Sequence, residues 1–491
     1  MDHGLWHVEL TKRGVPGLSG LLPELVAPGS VLDGVEGWLD ERDIPDRLPF
    51  LVSPTLEYDS VLNGYFLTPT MVGAAENTQL AAAGDLCRFL NFLWSARGKS
   101  SWQDATEADH VAYLYWRRAD PDGPRVAAST WNRELALVNG FYAWALRRSH
   151  VAATPILLRE RRGRDGSPVG SSTPAASARD VHDAPVRWLT PEQYRCWRDV
   201  GLRGYGADGL PDQGFRGRWA SRNALFADVM VRTGLRLTEQ ASLTAAEVPL
   251  PMRQAGYQRF WLAPSVAKNG SARWVYLPES LVGKVADYVA FDRAEIVAAA
   301  RKRSVYDRVR DPVILSGDRH GREVTARTAR GESVRLDRLR PEERRRLMVR
   351  TDDGLEPAAL WLAESGMPLS PSSWQEIFRI ANLRCARLSV AASAHPHALR
   401  HTFAVVTLEQ LQRGHLTALS SMGTEARGHY QRVFGDPLDW VRRRLGHRSL
   451  ETTMTYLHVL QELEMQTRMA LVPDDWDTIA VDEPATAGAE R

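Results

Sequence analysis

The chain has 491 residues, 44% of them apolar, enough for two to three domains with cores of their own. A run of 18 apolar residues and a charged-then-apolar leader are both missing, and three scattered cysteines (Cys87, Cys196, Cys385) make no disulfide framework, so the expectation is a soluble, cytoplasmic chain with no membrane partner. The formal net charge of +2 hides a division: residues 1–60 carry four Lys/Arg against 11 Asp/Glu, Pro473 to Arg491 carry one against six, and the 412 residues between hold +14. Such asymmetry is the footprint of a nucleic-acid partner.

In chain order, residues 1–66 are acidic and punctuated by Pro and Gly, an extension expected to pack on the protein or on a neighbour. Residues 67–158 are expected to be helical. Leu80, Ala83, Cys87, Leu90 and Trp94 recur at helical spacing before a stop at Gly98, and Leu135, Val138, Tyr142 and Ala145 repeat the pattern before Pro155. Arg117, Arg118, Arg133, Arg147 and Arg148 lie here as candidates for contact with nucleic-acid phosphates, each with a solvated helix face as an equal alternative. Residues 159–186 lose the periodicity and are rich in Gly, Ser, Pro and Ala, which predicts a flexible linker. Thr190 as cap and Pro191 in the first turn then open a second domain spanning 187–472. The acidic tail, 473–491, is expected to be disordered.

The second domain holds the residues with chemistry. In TGLRLTEQASL, Arg236 follows a Thr233-Gly234 helix stop and Glu239 comes three residues later. The chain has five lysines against 57 arginines, and one of the five, Lys268, sits in APSVAKNGSARWVYLP, where Asn269-Gly270 signals a hairpin. Arg273, on the far side of that turn, is a further DNA-contact candidate. Residues 301–350 hold 16 Lys/Arg and eight Asp/Glu, part of a basic insertion over about 301–355. HALRHTFAV carries His397 and Arg400, three apart and so on one helix face. In DPLDWVRRRLGHRSLETTMTYLHV a helix is predicted to end at Leu445 with Gly446 as a left-handed cap, and Ser449 to cap the next. That break would let His447 and Tyr456, nine residues apart, converge. His395, His397 and His401 allow a competing reading as a zinc site, weakened by the lack of an H-E-x-x-H or of a nearby cysteine pair.

Taken in order, Arg … His-x-x-Arg … His … Tyr resembles the active site of the tyrosine recombinases, the phage-integrase family, over roughly residues 60–470. The resemblance implies a mainly α fold with a small antiparallel β-sheet, in which a helical, SAM-like core-binding domain is linked to an α+β catalytic domain. It also implies a site-specific recombinase that cuts and rejoins duplex DNA through a 3′-phosphotyrosyl link, needs no cofactor, metal or ATP, and works as a homotetramer on two duplexes, nucleoid-associated when on DNA. Tyr456 would be the nucleophile, Arg236, Arg400 and His447 the groups that neutralise the phosphate, His397 an assistant, Lys268 the acid that protonates the departing 5′ oxygen and Glu239 the buttress of Arg236. Alternatives are a type IB topoisomerase-like enzyme and a catalytically silent DNA-binding regulator. Two stretches depart from the compact family pattern, the basic insertion and residues 412–436.

Overall fold

The structure is a computed structural model that describes residues 4–12, 39, 41–42, 44–99, 101–159, 161–162, 168–169, 173–180, 185–252, 256–309, 312–316, 324–328, 331–420, 422–423 and 435–469. Nearly half of the expected acidic extension, much of the linker, the 424–434 part of the second departure and the whole acidic tail lie outside the described residues. The chain divides into two compact units, Met1–Ala184 and Pro185–Arg491.

In the first unit, β1 (His7–Leu10) pairs antiparallel with β2 (Pro49–Val52), and α1 (Ser60–Asn63) and α2 (Pro69–Val72) lead into three longer helices. These are α3 (Glu76–Arg97), α4 (Glu107–Arg118) and α5 (Ala128–Arg147). Gly98, at φ 61°, ends α3 as the sequence predicts, and a Thr106/Asp109 capping box starts α4. Their facing stripes bury Phe89, Leu90, Tyr113, Trp131, Leu135, Phe141 and Tyr142, each side chain contributing about 1.5–3 kcal/mol of transfer free energy. Trp6, Leu39, Leu48, Leu51 and Leu62 join the same core, so the described part of the N-terminal extension belongs to the helical domain rather than preceding it. The expected linker does not run free throughout either. Two short strands, β3 (Arg161–Arg162) and β4 (Pro168–Val169), pair within it. Further on, Trp131 Nε1 donates to Ala176 O at 2.8 Å and Ala178 N to Asn132 Oδ1 at 2.8 Å, which ties residues near 177 to α5.

The second unit begins with α6 (Pro191–Trp197), capped by Thr190 as expected, followed by α7 (Ala220–Thr233) and the short α8 (Leu237–Ala241). The hairpin is β5 (Tyr257–Leu262) against β6 (Arg273–Pro278), in register from Tyr257↔Pro278 to Leu262↔Arg273. Its loop is therefore longer than a two-residue turn, although Asn269 (φ 56°) and Gly270 (φ 68°) are both left-handed. After α9 (Glu279–Tyr288) and α10 (Ala294–Lys302), the basic insertion folds into a sheet of its own. Strands β7 (Val313–Ser316), β8 (Thr325–Arg327) and β9 (Ser333–Arg335), the one-turn α11 (Pro341–Arg344), then β10 (Leu347–Thr351) and β11 (Gly354–Pro357) give the order β11-β10-β7-β8-β9, with β10 and β7 parallel. The molecule therefore carries more sheet than the hairpin alone, around a core of Val313, Ala326, Leu336 and Leu347. Some of the insertion's arginines are spent internally: Arg344 is buried against Glu247, and Arg301 reaches Glu356.

Among the described residues four further helices follow: α12 (Pro371–Arg387), α13 (Pro396–Ser420), α14 (Pro437–Leu445) and α15 (Glu451–Met469). Phe226 of α7 stacks on Trp374 of α12 with ring centroids 3.5 Å apart, at the heart of the main core. A second cluster joins Phe403, Ala404 and Leu408 of α13 to Val441 and Leu445 of α14 and to Tyr456 of α15. That cluster places the last two helices. Residues 412–420 continue α13 rather than forming a separate excursion.

Candidate active site

Helix stops build the site. Helix α7 ends at Gly234 (φ 66°), whose absent Cβ would lie 2.4 Å from Phe403 Cδ1, so only glycine fits between α7 and α13. The chain turns there and presents Arg236 as N-cap of α8. Glu239 closes the turn by accepting from Arg236 N and Nη1, each at 2.9 Å. The carboxylate is fully buried and also accepts from Arg273 Nη2 at 2.7 Å and Nη1 at 3.3 Å. Burial alone would raise its pKa, but Arg273 and then Arg236 outweigh that and hold it down to about 2. Glu239 therefore holds Arg236 at the start of α8.

Arg273 corrects an expectation. It is 7% exposed, gives its two terminal nitrogens to Glu239 and its Nε to Arg444 O at 2.8 Å, and so is a strut between the hairpin and the end of α14 rather than a DNA contact. Arg117 is corrected for the same reason: it is buried and donates to Glu134, with Nε 2.8 Å from Oε2. Arg118 pairs with Asp180, and Arg133 pairs with Asp85 while half of its side chain stays open to solvent. Arg147 and Arg148 are exposed at the end of α5.

Arg400 projects from α13 and is almost completely buried, with its fork divided between Gly234 O and Leu445 O, the two carbonyls that end α7 and α14. One guanidinium thus ties both helix stops together. Burial and the nearby Arg236 lower its pKa, yet an arginine starting so high stays charged at neutral pH. His397, one turn earlier, is exposed, and burial of its inner edge with the charge of Arg400 lowers its pKa. Lys268 is exposed at the tip of the hairpin loop. Its turn is held by Lys268 N reaching Glu239 Oε1 at 3.5 Å and by Arg448 Nη2 donating to Asn269 O at 2.7 Å.

Gly446 (φ 66°) ends α14 as predicted, and the chain reverses before α15. Ser449 lies two residues before α15 and accepts from Thr452 N at 3.5 Å. The break does bring His447 and Tyr456 together: their rings lie 6.3 Å apart at 18°, face to face. His447 Nδ1 is 2.9 Å from Thr453 Oγ1, which fixes the ring. Burial, then Arg400 and Arg236, push its pKa down to about 3, so it is neutral. Tyr456 is 3% exposed; burial raises its pKa against the lowering by Arg400 and Arg236.

The structure adds a residue whose spacing in the sequence points only to a possible metal site. His401 Nδ1 lies 2.9 Å from Tyr456 Oη. The available signal was its place in H-x-x-R-H, one turn after His397 and so on the same face. Among the described residues no group of three His, Cys, Asp or Glu is placed to hold a metal ion, and no helix is long and apolar enough to cross a membrane.

Arg236, the α13 residues His397, Arg400 and His401, and His447 thus cluster around the phenol of Tyr456, with the charge supplied by the two guanidinium groups. Such a cluster can take a phosphodiester, neutralise its oxygens and present a hydroxyl to it.

Residues 71–149 match the phage integrase N-terminal SAM-like domain. Over 397 residues, 80% of this chain and 91% of the relative, the sequence is 23% identical to the tyrosine recombinase XerC of Lactobacillus delbrueckii subsp. bulgaricus. Among solved structures, the XerH site-specific recombinase in a post-cleavage complex with palindromic difH substrate aligns at a TM-score of 0.45 and 13% identity, over 84% of this chain and 85% of that one. A lambda integrase dimer bound to a COC′ core site aligns at 0.42 and 12%, over 81% and 94%.

Proposed function

We propose that this chain, a relative of the tyrosine recombinases and phage integrases, is a site-specific recombinase of a mobile element that breaks and rejoins duplex DNA without metal or ATP. The observation that carries the reading is the convergence of Arg236, Arg400, His447 and Tyr456 on one locus from four segments spread over more than 200 residues. A core packed for stability alone has no reason to gather two guanidinium groups around a buried phenol.

The scissile phosphate would sit between the forks of Arg236 and Arg400, with His447 and His397 donating to its non-bridging oxygens. Extra negative charge develops there as phosphorus becomes five-coordinate, and fixed donors stabilise it. Tyr456 attacks phosphorus, the bond to the 5′ oxygen breaks, and Lys268 supplies that oxygen with a proton. Lysine suits this role because its pKa can be tuned, whereas an arginine does not release its proton. The 3′-phosphotyrosyl product conserves the bond energy, so a 5′ hydroxyl from a second duplex can reverse the step. Leu450, just before α15, and Met454 and Leu463 on it are exposed apolar residues, consistent with a helix that packs into a neighbouring protomer of a DNA-bound tetramer.

The test is covalent capture. The protein is mixed with fragmented genomic DNA of its source organism in EDTA, denatured in SDS, and the attached DNA is sequenced. A few discrete sites support a recombinase. Capture spread over all sequences points instead to a topoisomerase, and no capture refutes the reading.

A further inference from the structure

The roles assigned so far leave one side chain at the centre of the site without work. His401 Nδ1 is 2.9 Å from Tyr456 Oη, closer to the phenol oxygen than any other hydrogen-bonding contact described for it. Attack by a phenol requires that its proton leave, and a phenol with a pKa near 10 gives it up poorly without an acceptor. The other nearby groups are occupied or turned away. His447 lies near-parallel to Tyr456 with ring centroids 6.3 Å apart, commits Nδ1 to Thr453 and keeps Nε2 for the phosphate oxygens. Glu239 is spent on Arg236 and Arg273. His397 packs against His401, with ring centroids 4.3 Å apart, rather than against the phenol.

We propose that His401 aims the Tyr456 hydroxyl and accepts its proton as the phenol attacks. The proposal rests on the recombinase reading and adds a residue to it. In the step, the Tyr456 Oη–phosphorus bond forms and the phosphorus–O5′ bond breaks. The phenolic proton passes to His401 Nδ1, O5′ takes a proton from Lys268, and the net charge of the site is unchanged. Religation returns both protons.

Placement in α13 supports the role. His401 is one residue past Arg400, so the helix that anchors the phosphate-binding guanidinium also carries the acceptor. In the free protein burial, then His397, Arg400 and His395, keep the imidazole neutral, which leaves a nitrogen lone pair free for the hydroxyl. A phosphate seated among the arginines brings negative charge beside those same groups. That raises the proton affinity of His401 at the moment when a proton must be taken.

Two variants of the full chain separate aiming from proton transfer. His401→Gln can still accept a hydrogen bond but cannot take up a proton, and His401→Ala can do neither. Both are expected to keep DNA retention, His401→Gln with wild-type melting and His401→Ala with a lower one because the buried hydroxyl loses its partner, and both to form the SDS-stable adduct about 10²-fold or more slowly, the range typical of a lost general base. A fluorinated tyrosine at position 456, whose phenol is more acidic, should recover part of that loss in His401→Ala and gain little in the wild type. On a duplex built from a captured site with sulfur in place of the bridging 5′ oxygen, Lys268→Ala should be rescued and His401→Ala should not, because a thiolate leaves without an acid. Wild-type adduct rates in both variants, or equal rescue by the sulfur substrate, would overturn the proposal while leaving the recombinase reading intact. Absence of adduct from the wild-type protein, or its persistence in Tyr456→Phe, would overturn both.

Discussion

Replacing Glu239 by glutamine tests the electrostatics on which the site is built. The carboxylate is fully buried between Arg236 and Arg273, and its pKa stands at about 2 against an ordinary 4.5. That difference is worth about 3 kcal/mol of folding stability, to order of magnitude. Because the folded value is the depressed one, the contribution is complete above pH 4.5 and is lost as the pH falls through 2. Glu239→Gln leaves two arginines near one neutral amide, and breaking a buried pair typically costs about 3–5 kcal/mol. Urea denaturation followed by far-UV circular dichroism should therefore show the variant less stable by that amount at pH 7. The gap between the two proteins should close by about 3 kcal/mol between pH 5 and pH 2, since only the wild type must protonate this carboxyl. A gap that stays constant over that range would refute the reasoning, because it would mean that Glu239 holds the turn by packing and not by charge.

Arg400→Lys keeps the charge but cannot bridge Gly234 O and Leu445 O with a planar fork; covalent adduct should be lost, and calorimetry should show a lower melting temperature. Gly446→Ala should cost about 1–2 kcal/mol in denaturation, since the residue sits at φ 66° and its Cβ would lie 3.1 Å from Arg273 Nη1 and Ser271 Oγ. Arg117→Ala should destabilise the first unit by about 3–5 kcal/mol and leave the salt dependence of DNA binding unchanged, as expected of a buried ion pair. Arg147→Ala should do the reverse in a filter-binding titration, with no effect on melting and a salt slope reduced by about one if it meets a phosphate.

The contrast between those two arginines shows what could be read from the chain. Local signals were legible because local chemistry sets them: Gly98 and Gly446 are the left-handed stops that the helix patterns require, and Thr190 is the cap that its position before Pro191 announces. His397 and Arg400 share a face because helical spacing dictates it. Pairing at long range left no such mark. Arg117 finds Glu134 on another helix and Arg273 finds Glu239 across the hairpin, and nothing beside either residue distinguishes it from an exposed arginine. The basic insertion was visible as a charge excess, while its parallel β10–β7 pairing joins residues more than 30 apart. For His401, spacing along the chain reveals His397 as a neighbour, and only the fold brings Tyr456 to its nitrogen.

The residue to which DNA becomes attached identifies the nucleophile. Protein captured on its DNA in EDTA and SDS should be digested with nuclease and trypsin and the modified peptide sequenced by mass spectrometry. A phosphonucleotide on Tyr456, absent from the Tyr456→Phe variant although that variant binds DNA as tightly, is the result predicted. Attachment at any other residue, or cleavage that survives the substitution, would contradict it.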